Sequence, residues 1–312
     1  MPLDRHARRL IEMLRAGAPA EPRELTVSGL RRSMQQLAQV VDVRNVPLAR
    51  VEERRLSGPG GPLPIRIYTP TSAGRESGGL VFFHGGMGVC GGLDTHDGLC
   101  RLLANASACR ILAVDYRIAP EHRFPAAVED AYSATQWLFA HARELGIDAM
   151  RIAVGGDSHG GALAAVVSRL ARDAGAAAPA LQLLFCPVMD LGAETESRKE
   201  LADGYFFDRR TLDWAISQYC EPGTDLTDPR ISPLRARDFT RLPPAHVHTA
   251  EFDPMRDEGK AYADALARAG VGVRYVCHSG MIHHFYAMAG AIPYARAAVE
   301  AAGAAVGAAL ER

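Results

Sequence analysis

Lysine is almost absent from this chain of 312 residues: of 35 basic residues only Lys199 and Lys260 are lysines, leaving 33 arginines. With the abundant alanine and glycine, that bias reads as a coding preference and not as a function. A surplus of either charge is also missing, since 35 basic face 36 acidic residues for a formal net charge of -1. Such a balance gives no field for gripping nucleic acid or an anionic membrane. No stretch approaches the roughly 18 uninterrupted apolar residues of a membrane span, and Arg296 and Glu300 break even the alanine-rich tail. The first 20 residues scatter Asp4, Arg5, Arg8, Arg9, Glu12 and Arg15, so they lack the apolar core of a secretory signal, and a cytoplasmic location is expected. The six cysteines, at 90, 100, 109, 186, 220 and 277, form no C-x-x-C pair. Reduced, mostly buried thiols fit better than disulfides or zinc, and no metal is expected. What remains is 48% hydrophobic and 23% charged, an ordinary globular composition with room for a sizeable core.

From about residue 49, short β-rich runs alternate with longer helical patterns, which predicts an α/β fold. Strands are expected at 49–56, 63–68, 80–83, 111–115, 151–154, 181–185, 245–249 and 272–277. The last six are apolar enough to be buried on both faces, as parallel strands are. Helices are expected near 94–108, 127–145, 158–174, 257–269 and 294–311, several of them stopping at Gly146, Gly175 and Gly270. Two regions break the rhythm. Residues 1–45 read as amphipathic helices, and residues 190–242 form an insertion carrying Tyr205, Phe206, Phe207, Trp214 and Tyr219. Together they would make a helical cap over a core built from 46–189 and 243–312. The insertion's aromatics serve equally well as pocket walls or as a small core.

Gly156-Asp157-Ser158-His159-Gly160 matches G-x-S-x-G between an expected strand and an expected helix. A nucleophile elbow needs that junction, because a tight strained turn lifts the serine hydroxyl above the sheet and the flanking glycines let strand and helix approach. An unassisted hydroxyl is a poor nucleophile at neutral pH, so a base and an orienting carboxylate must follow. Asp253, after the strand Ala245-His246-Val247-His248-Thr249, and His283, after the strand ending at Cys277, fall in the order serine, acid, histidine at strand ends where ligands of open α/β sheets gather. Of the adjacent His283 and His284, sequence chemistry alone does not choose the base. An unperturbed imidazole would lose activity below about pH 6. Backbone N–H donors for a developing oxyanion are expected from Gly85 and Gly86, in His84-Gly85-Gly86, and from His159. His84 itself is expected to brace that loop.

These motifs, with Asp115-Tyr116-Arg117-Ile118-Ala119-Pro120-Glu121-His122, Phe124-Pro125-Ala126-Ala127, Asp253-Pro254-Met255-Arg256-Asp257 and Gly280-Met281-Ile282-His283, resemble the bacterial hormone-sensitive-lipase-like esterases, family IV. The likeness runs from the N-terminal helices to the final helix. It implies an α/β-hydrolase fold, a mostly parallel central sheet flanked by helices with a helical cap, and a cofactor-free Ser158-Asp253-His283 site for small short-chain carboxylic esters. It selects His283 as the base, makes the Asp115 to Ala127 stretch structural, and pairs Arg117 with Glu121 internally. A homodimer stays open. Three departures stand out: Met87 in place of a third glycine, His159 in place of alanine after the serine, and His284 in place of a small residue after His283. Met87 is expected to line the substrate pocket with Tyr205, Phe206 and Trp214, narrowing its alcohol side, or else to pack under the cap.

Competing readings remain. Amide hydrolysis would use the same residues. Relatives of this fold serve as hormone receptors after losing a catalytic residue, whereas Ser158, Asp253 and His283 are all present here. Gly86-Met87-Gly88-Val89-Cys90-Gly91 imitates a dinucleotide fingerprint with Asp115 beyond it, but the helix is expected to start only near Asp94, past the glycines that would face a pyrophosphate. His246 and His248 share a strand face as two metal ligands could, without any third ligand at zinc spacing.

Overall fold

The computed structural model describes residues 2–16, 24–74, 76–206 and 208–311, so Phe207 and residues 17–23 of the expected cap lie outside the described part. Two helices, α1 (Arg5–Ala16) and α2 (Val27–Val41), precede strands β1 (Arg50–Gly58), β2 (Gly61–Thr69) and β3 (Ser77–Phe83). Then follow α3 (Asp97–Ser107), β4 (Arg110–Val114), α4 (Ala126–His141), β5 (Ile147–Asp157), α5 (His159–Ala174) and β6 (Leu181–Phe185). The insertion holds α6 (Glu196–Glu200) and α7 (Arg209–Tyr219), and the chain closes with β7 (Ala245–Phe252), α8 (Arg256–Arg268), β8 (Val273–Ile282) and α9 (Pro293–Leu310).

The eight strands form one sheet in the order β1-β2-β4-β3-β5-β6-β7-β8. The six strands from β3 to β8 run parallel, while β2 is antiparallel to both β1 and β4. The division follows the side chains: β1 is charged and alternates exposed with more buried positions from Val51 to Gly58, as a half-exposed edge strand does, whereas β3 (Ser-Gly-Gly-Leu-Val-Phe-Phe) and β6 are buried throughout. Successive side chains point to opposite faces, so Val81 and Phe83 join a core with α4, α5 and α8, while Leu80 and Phe82 join a second core with α3 and α9. Among the described residues no helix is long and apolar enough to cross a membrane.

The helices end as expected at Gly175, which caps α5 in the left-handed region at φ 59°, and at Gly270 just past α8, φ 77°. The first turn after the glycine run is a 3₁₀ turn over Asp94–His96, and the α-helix begins at Asp97. The run Gly86 to Gly91 is therefore a loop, with Val89 and Cys90 both donating their N–H to Gly86 O. It is not the first turn of a helix, which removes the geometry a dinucleotide needs.

The likeness-based pairing of Arg117 with Glu121 is corrected. Arg117 Nη2 lies 2.9 Å from Asp130 Oδ1 and 3.2 Å from Glu129 Oε2, both on α4, and Glu121 pairs instead with Arg31 of α2, 2.6 Å from Nη2 to Oε2. Asp130 is fully buried and wants a bidentate partner, while Glu121 is exposed on the side where α2 crosses. Arg31 also donates to Val89 O and Ala119 O, so one guanidinium ties the N-terminal helices to the glycine loop and to the loop after β4. At the other end of the cap, Arg198 of α6 meets Glu258 of α8 at 2.7 Å in a buried pair, and Glu258 Oε1 accepts the Met189 N–H.

Candidate active site

At the end of β5 the chain reverses through Ser158, which has φ 54° and ψ -118°, and enters α5 at His159. That turn holds Ser158 N 2.8 Å from Phe185 O. A Cβ at Gly160 would collide with Phe83 O, and one at Gly156 with the Gly160 carbonyl, so the two motif glycines are required by contact. Ser158 Oγ lies 3.0 Å from His283 Nε2, and His283 Nδ1 lies 2.9 Å from Asp253 Oδ2. Asp253 Oδ1 accepts the Met255 N–H at 2.8 Å, which fixes the carboxylate, and all three side chains are buried. Sequence separations of 125 and 30 residues are thus closed into one constellation at the C-terminal ends of β5, β7 and β8. Burial pushes the His283 imidazole down, but the charge and hydrogen bond of Asp253 outweigh it and hold the group above its ordinary value.

That direction gives a measurable expectation. Neutral imidazole is the form that accepts the serine proton, and a raised value means it protonates at higher pH. The acid limb of kcat/KM for an uncharged ester should therefore have its midpoint above the ordinary histidine value of about 6.5. A pH profile with its midpoint below about 6 would contradict the Asp253 contact.

His284 turns the other way. Its backbone sits in the left-handed region at φ 64°, and its Nδ1 lies 3.2 Å from Asp157 Oδ2. Asp157 is also 3.1 Å from His96 Nε2 and accepts the Gly85 N–H at 2.8 Å. Burial opposes a charge on Asp157, yet His96 and His284 hold its carboxyl well below the usual range. Burial lowers His284 in spite of the same carboxylate. This buried junction joins the residue before Ser158, the glycine loop, the start of α3 and the loop that carries His283. Sequence reading missed it. The signal available was Asp157 inside the serine motif, an acidic residue in a buried turn that needs partners.

The junction also corrects the oxyanion expectation for Gly85, whose N–H is directed at Asp157 and is not free to meet a substrate. Among the described residues, the N–H groups of Gly86 and Met87 have no acceptor, and that of His159 sits unpaired at the first turn of α5, where helices leave such donors open. These three are the donors the geometry offers. Gly86 makes the bend with φ 121°, where a Cβ would strike the Cys90 carbonyl. His84 braces the loop as expected, with Nδ1 2.8 Å from Gly85 O and its ring stacked on Tyr116 at 4.2 Å. Burial brings it down to about 3, so it is neutral.

Ser158 and His283 open into a cavity of about 520 Å³. Its walls come from the N-terminal helices and the 190–242 segment: Ile11 and Leu14 of α1, Leu30 and Met34 of α2, and Tyr205 and Phe206. Met87 lines it too. Trp214 does not: it packs against the hydrophobic core, while Thr211, about one turn earlier on α7, is the residue of that helix at the cavity. Phe206 stacks on His284 at 5.5 Å. Among the described residues two buried triplets bring metal-ligand atoms within 4.8 Å of one another, His96-Asp157-His284 and Cys186-Asp253-His283. The first is joined by the hydrogen bonds above, and the second contains the hydrogen-bonded His283 and Asp253. His248 faces His278 at 3.1 Å, which in turn reaches the Tyr294 hydroxyl at 2.9 Å, so its ring is engaged in a chain across β7 and β8.

Comparison with known proteins agrees with this architecture. A family profile described as an alpha/beta hydrolase fold matches residues 80–287. Carboxylic ester hydrolase LipN of Mycobacterium tuberculosis is 45% identical over 241 residues, covering 75% of this chain and 64% of that protein, so the chain spans less than two thirds of that relative. Esterase LipI of the same organism is 41% identical over 253 residues, 80% of this chain and 79% of the relative. The solved structure of ester-hydrolase EH1AB1 from the metagenome of Lake Arreo superposes with a TM-score of 0.96 at 39% identity, covering 99% of this chain and 100% of that one.

Proposed function

The chain belongs to the hormone-sensitive-lipase-like esterases of the α/β-hydrolase fold, and from that premise we propose that it is a carboxylesterase acting through Ser158, His283 and Asp253. The observation that carries the residue assignment is the 3.0 Å and 2.9 Å relay from Ser158 through His283 to Asp253 at the wall of a cavity that Gly86 and Met87 also line. Ser158 Oγ attacks the ester carbonyl carbon as His283 Nε2 takes its proton, and the carbonyl oxygen gathers charge toward the N–H groups of Gly86, Met87 and His159. The carbon–oxygen bond to the alcohol then breaks, and the alcohol leaves with the proton from His283. Water repeats the sequence on the acyl-serine, giving up a proton to His283, and the acid departs as Ser158 regains its hydrogen. Asp253 keeps the His283 tautomer in place and steadies the imidazolium that forms in each half-reaction.

The substrates we propose are soluble short-chain esters. The apolar walls beside the serine come from α1, α2 and the 203–206 turn. The test is a panel of p-nitrophenyl esters from acetate to palmitate beside emulsified triglyceride. Acyl groups of about two to six carbons are expected to be fastest, each methylene that fits adding about 1 kcal/mol of binding. Faster hydrolysis of emulsified long-chain triglyceride would overturn the size assignment, and an anilide cleaved as fast as the matching ester would favour an amidase.

A further inference from the structure

Met87 has a different environment on each of its two sides. On one side it lines the catalytic cavity; on the other it lines a separate void of about 10 Å³ walled by His159, Val188, Leu191, Leu212 and Tyr219. The backbone there has φ 58°, a conformation that L side chains seldom adopt, so a methionine is held where glycine would be the easier choice. The next residue is glycine, and a Cβ on Gly88 would run into the Tyr219 ring and come within 3.2 Å of His159 Nε2. The Tyr219 and His159 rings accordingly meet edge to face at 4.6 Å.

One polar atom in this apolar pocket lacks a partner. His159 is buried, and its Nε2 has no hydrogen-bond partner among the described residues. Burial lowers the imidazole to about 4, so the ring is neutral at ordinary pH and suits an uncharged partner rather than a carboxylate. The void is near the smallest that can hold a water, and a water there would have too few polar partners to be stable. An apolar group with a single oxygen atom meets both conditions. Methionine is an unbranched, adaptable side chain, and since Met87 lines both spaces, shortening it to alanine removes three heavy atoms from a residue they share.

We propose that Met87 is the movable partition of a second arm of the ester site, and that this arm takes a compact branched or cyclic substituent whose one hydroxyl or carbonyl oxygen hydrogen-bonds to His159 Nε2. The inference rests on the assignment of Ser158 as the nucleophile. It also joins the two departures from the family pattern, Met87 and His159, into one feature.

Ethyl acetate serves as the reference within each enzyme, which separates the arm from any effect on the oxyanion donors. The probes are cyclohexyl acetate and 4-hydroxycyclohexyl acetate for the alcohol side, with methyl cyclohexanecarboxylate and its 4-hydroxy derivative for the acyl side. Met87→Ala should raise kcat/KM for the ring esters of one series by about tenfold or more relative to ethyl acetate. In that series the hydroxylated ester should gain more than its parent, and adding His159→Phe, which keeps a ring but removes the nitrogen, should abolish that difference. Met87→Gly, suited to the φ of 58°, provides the same measurement if the alanine variant does not fold. Ring-to-ethyl ratios unchanged in both series would overturn the arm, and a hydroxyl preference that survives His159→Phe would overturn the role of the nitrogen. Absence of ethyl acetate hydrolysis by the unmodified enzyme would instead refute the ester assignment on which the inference stands.

Discussion

Replacing Ser158 with alanine should lower ester turnover by a factor on the order of a thousand or more while leaving the protein folded. Its Oγ is the atom that meets His283 Nε2 at 3.0 Å, and alanine removes that oxygen alone. The unusual turn at φ 54° already accommodates a Cβ, and the contacts that force glycine at 156 and 160 are untouched. The backbone donors facing the cavity also remain, so some acceleration over water should persist. Turnover of a p-nitrophenyl ester, measured beside the thermal unfolding midpoint, gives the answer. A variant that melts like the parent and retains most of its rate would end the serine mechanism.

The second large effect separates neighbouring residues. His283→Ala should cost about a thousandfold or more in kcat, because it removes the group that accepts the serine proton and the partner that Asp253 orients at 2.9 Å. His284→Gly should cost far less, about ten- to a hundredfold, the scale of one charge-assisted hydrogen bond. Glycine fits the φ of 64° there, and Asp157 keeps His96 and the Gly85 N–H when the His284 contact goes. Asparagine, which tolerates the left-handed region and can donate to Asp157, should restore part of the His284→Gly loss. A nearly normal His283→Ala enzyme beside an inactive His284→Gly enzyme would reverse the two assignments.

The elements that carry this site were readable because they obey local rules. The apolar runs Leu80 to Phe83 and Leu181 to Phe185 can only be strands buried on both faces, and a G-x-S-x-G motif between such a strand and a helix has one well-known shape. The corrections all concern pairings made across the fold. Gly85 looked like an oxyanion donor because it follows His84, but its N–H is claimed by Asp157, 72 residues away. Glu121 is four residues from Arg117, yet its partner lies 90 residues upstream on α2. Trp214 is near Tyr205 and Phe206 in sequence, but it lies about one turn further along α7 than Thr211, which reaches the cavity, and it packs against the core instead. Periodicity specifies which face of an element is buried; it does not specify which distant polar group will arrive opposite a given donor.

Arg31 gives α2 a standing that its position in the chain conceals. Its guanidinium holds the carbonyls of Val89 and Ala119 while gripping Glu121, and Val89 belongs to the loop whose Gly86 and Met87 line the cavity. The helix is therefore part of the scaffold that sets the oxyanion loop, as well as a wall above it. For anyone recombining parts of related enzymes, the crossover point matters accordingly. A chimera that imports a foreign N-terminal segment to alter selectivity would also import a different brace for the glycine loop, whereas one that exchanges only the 190–242 portion of the roof would keep Arg31 with the loop it supports.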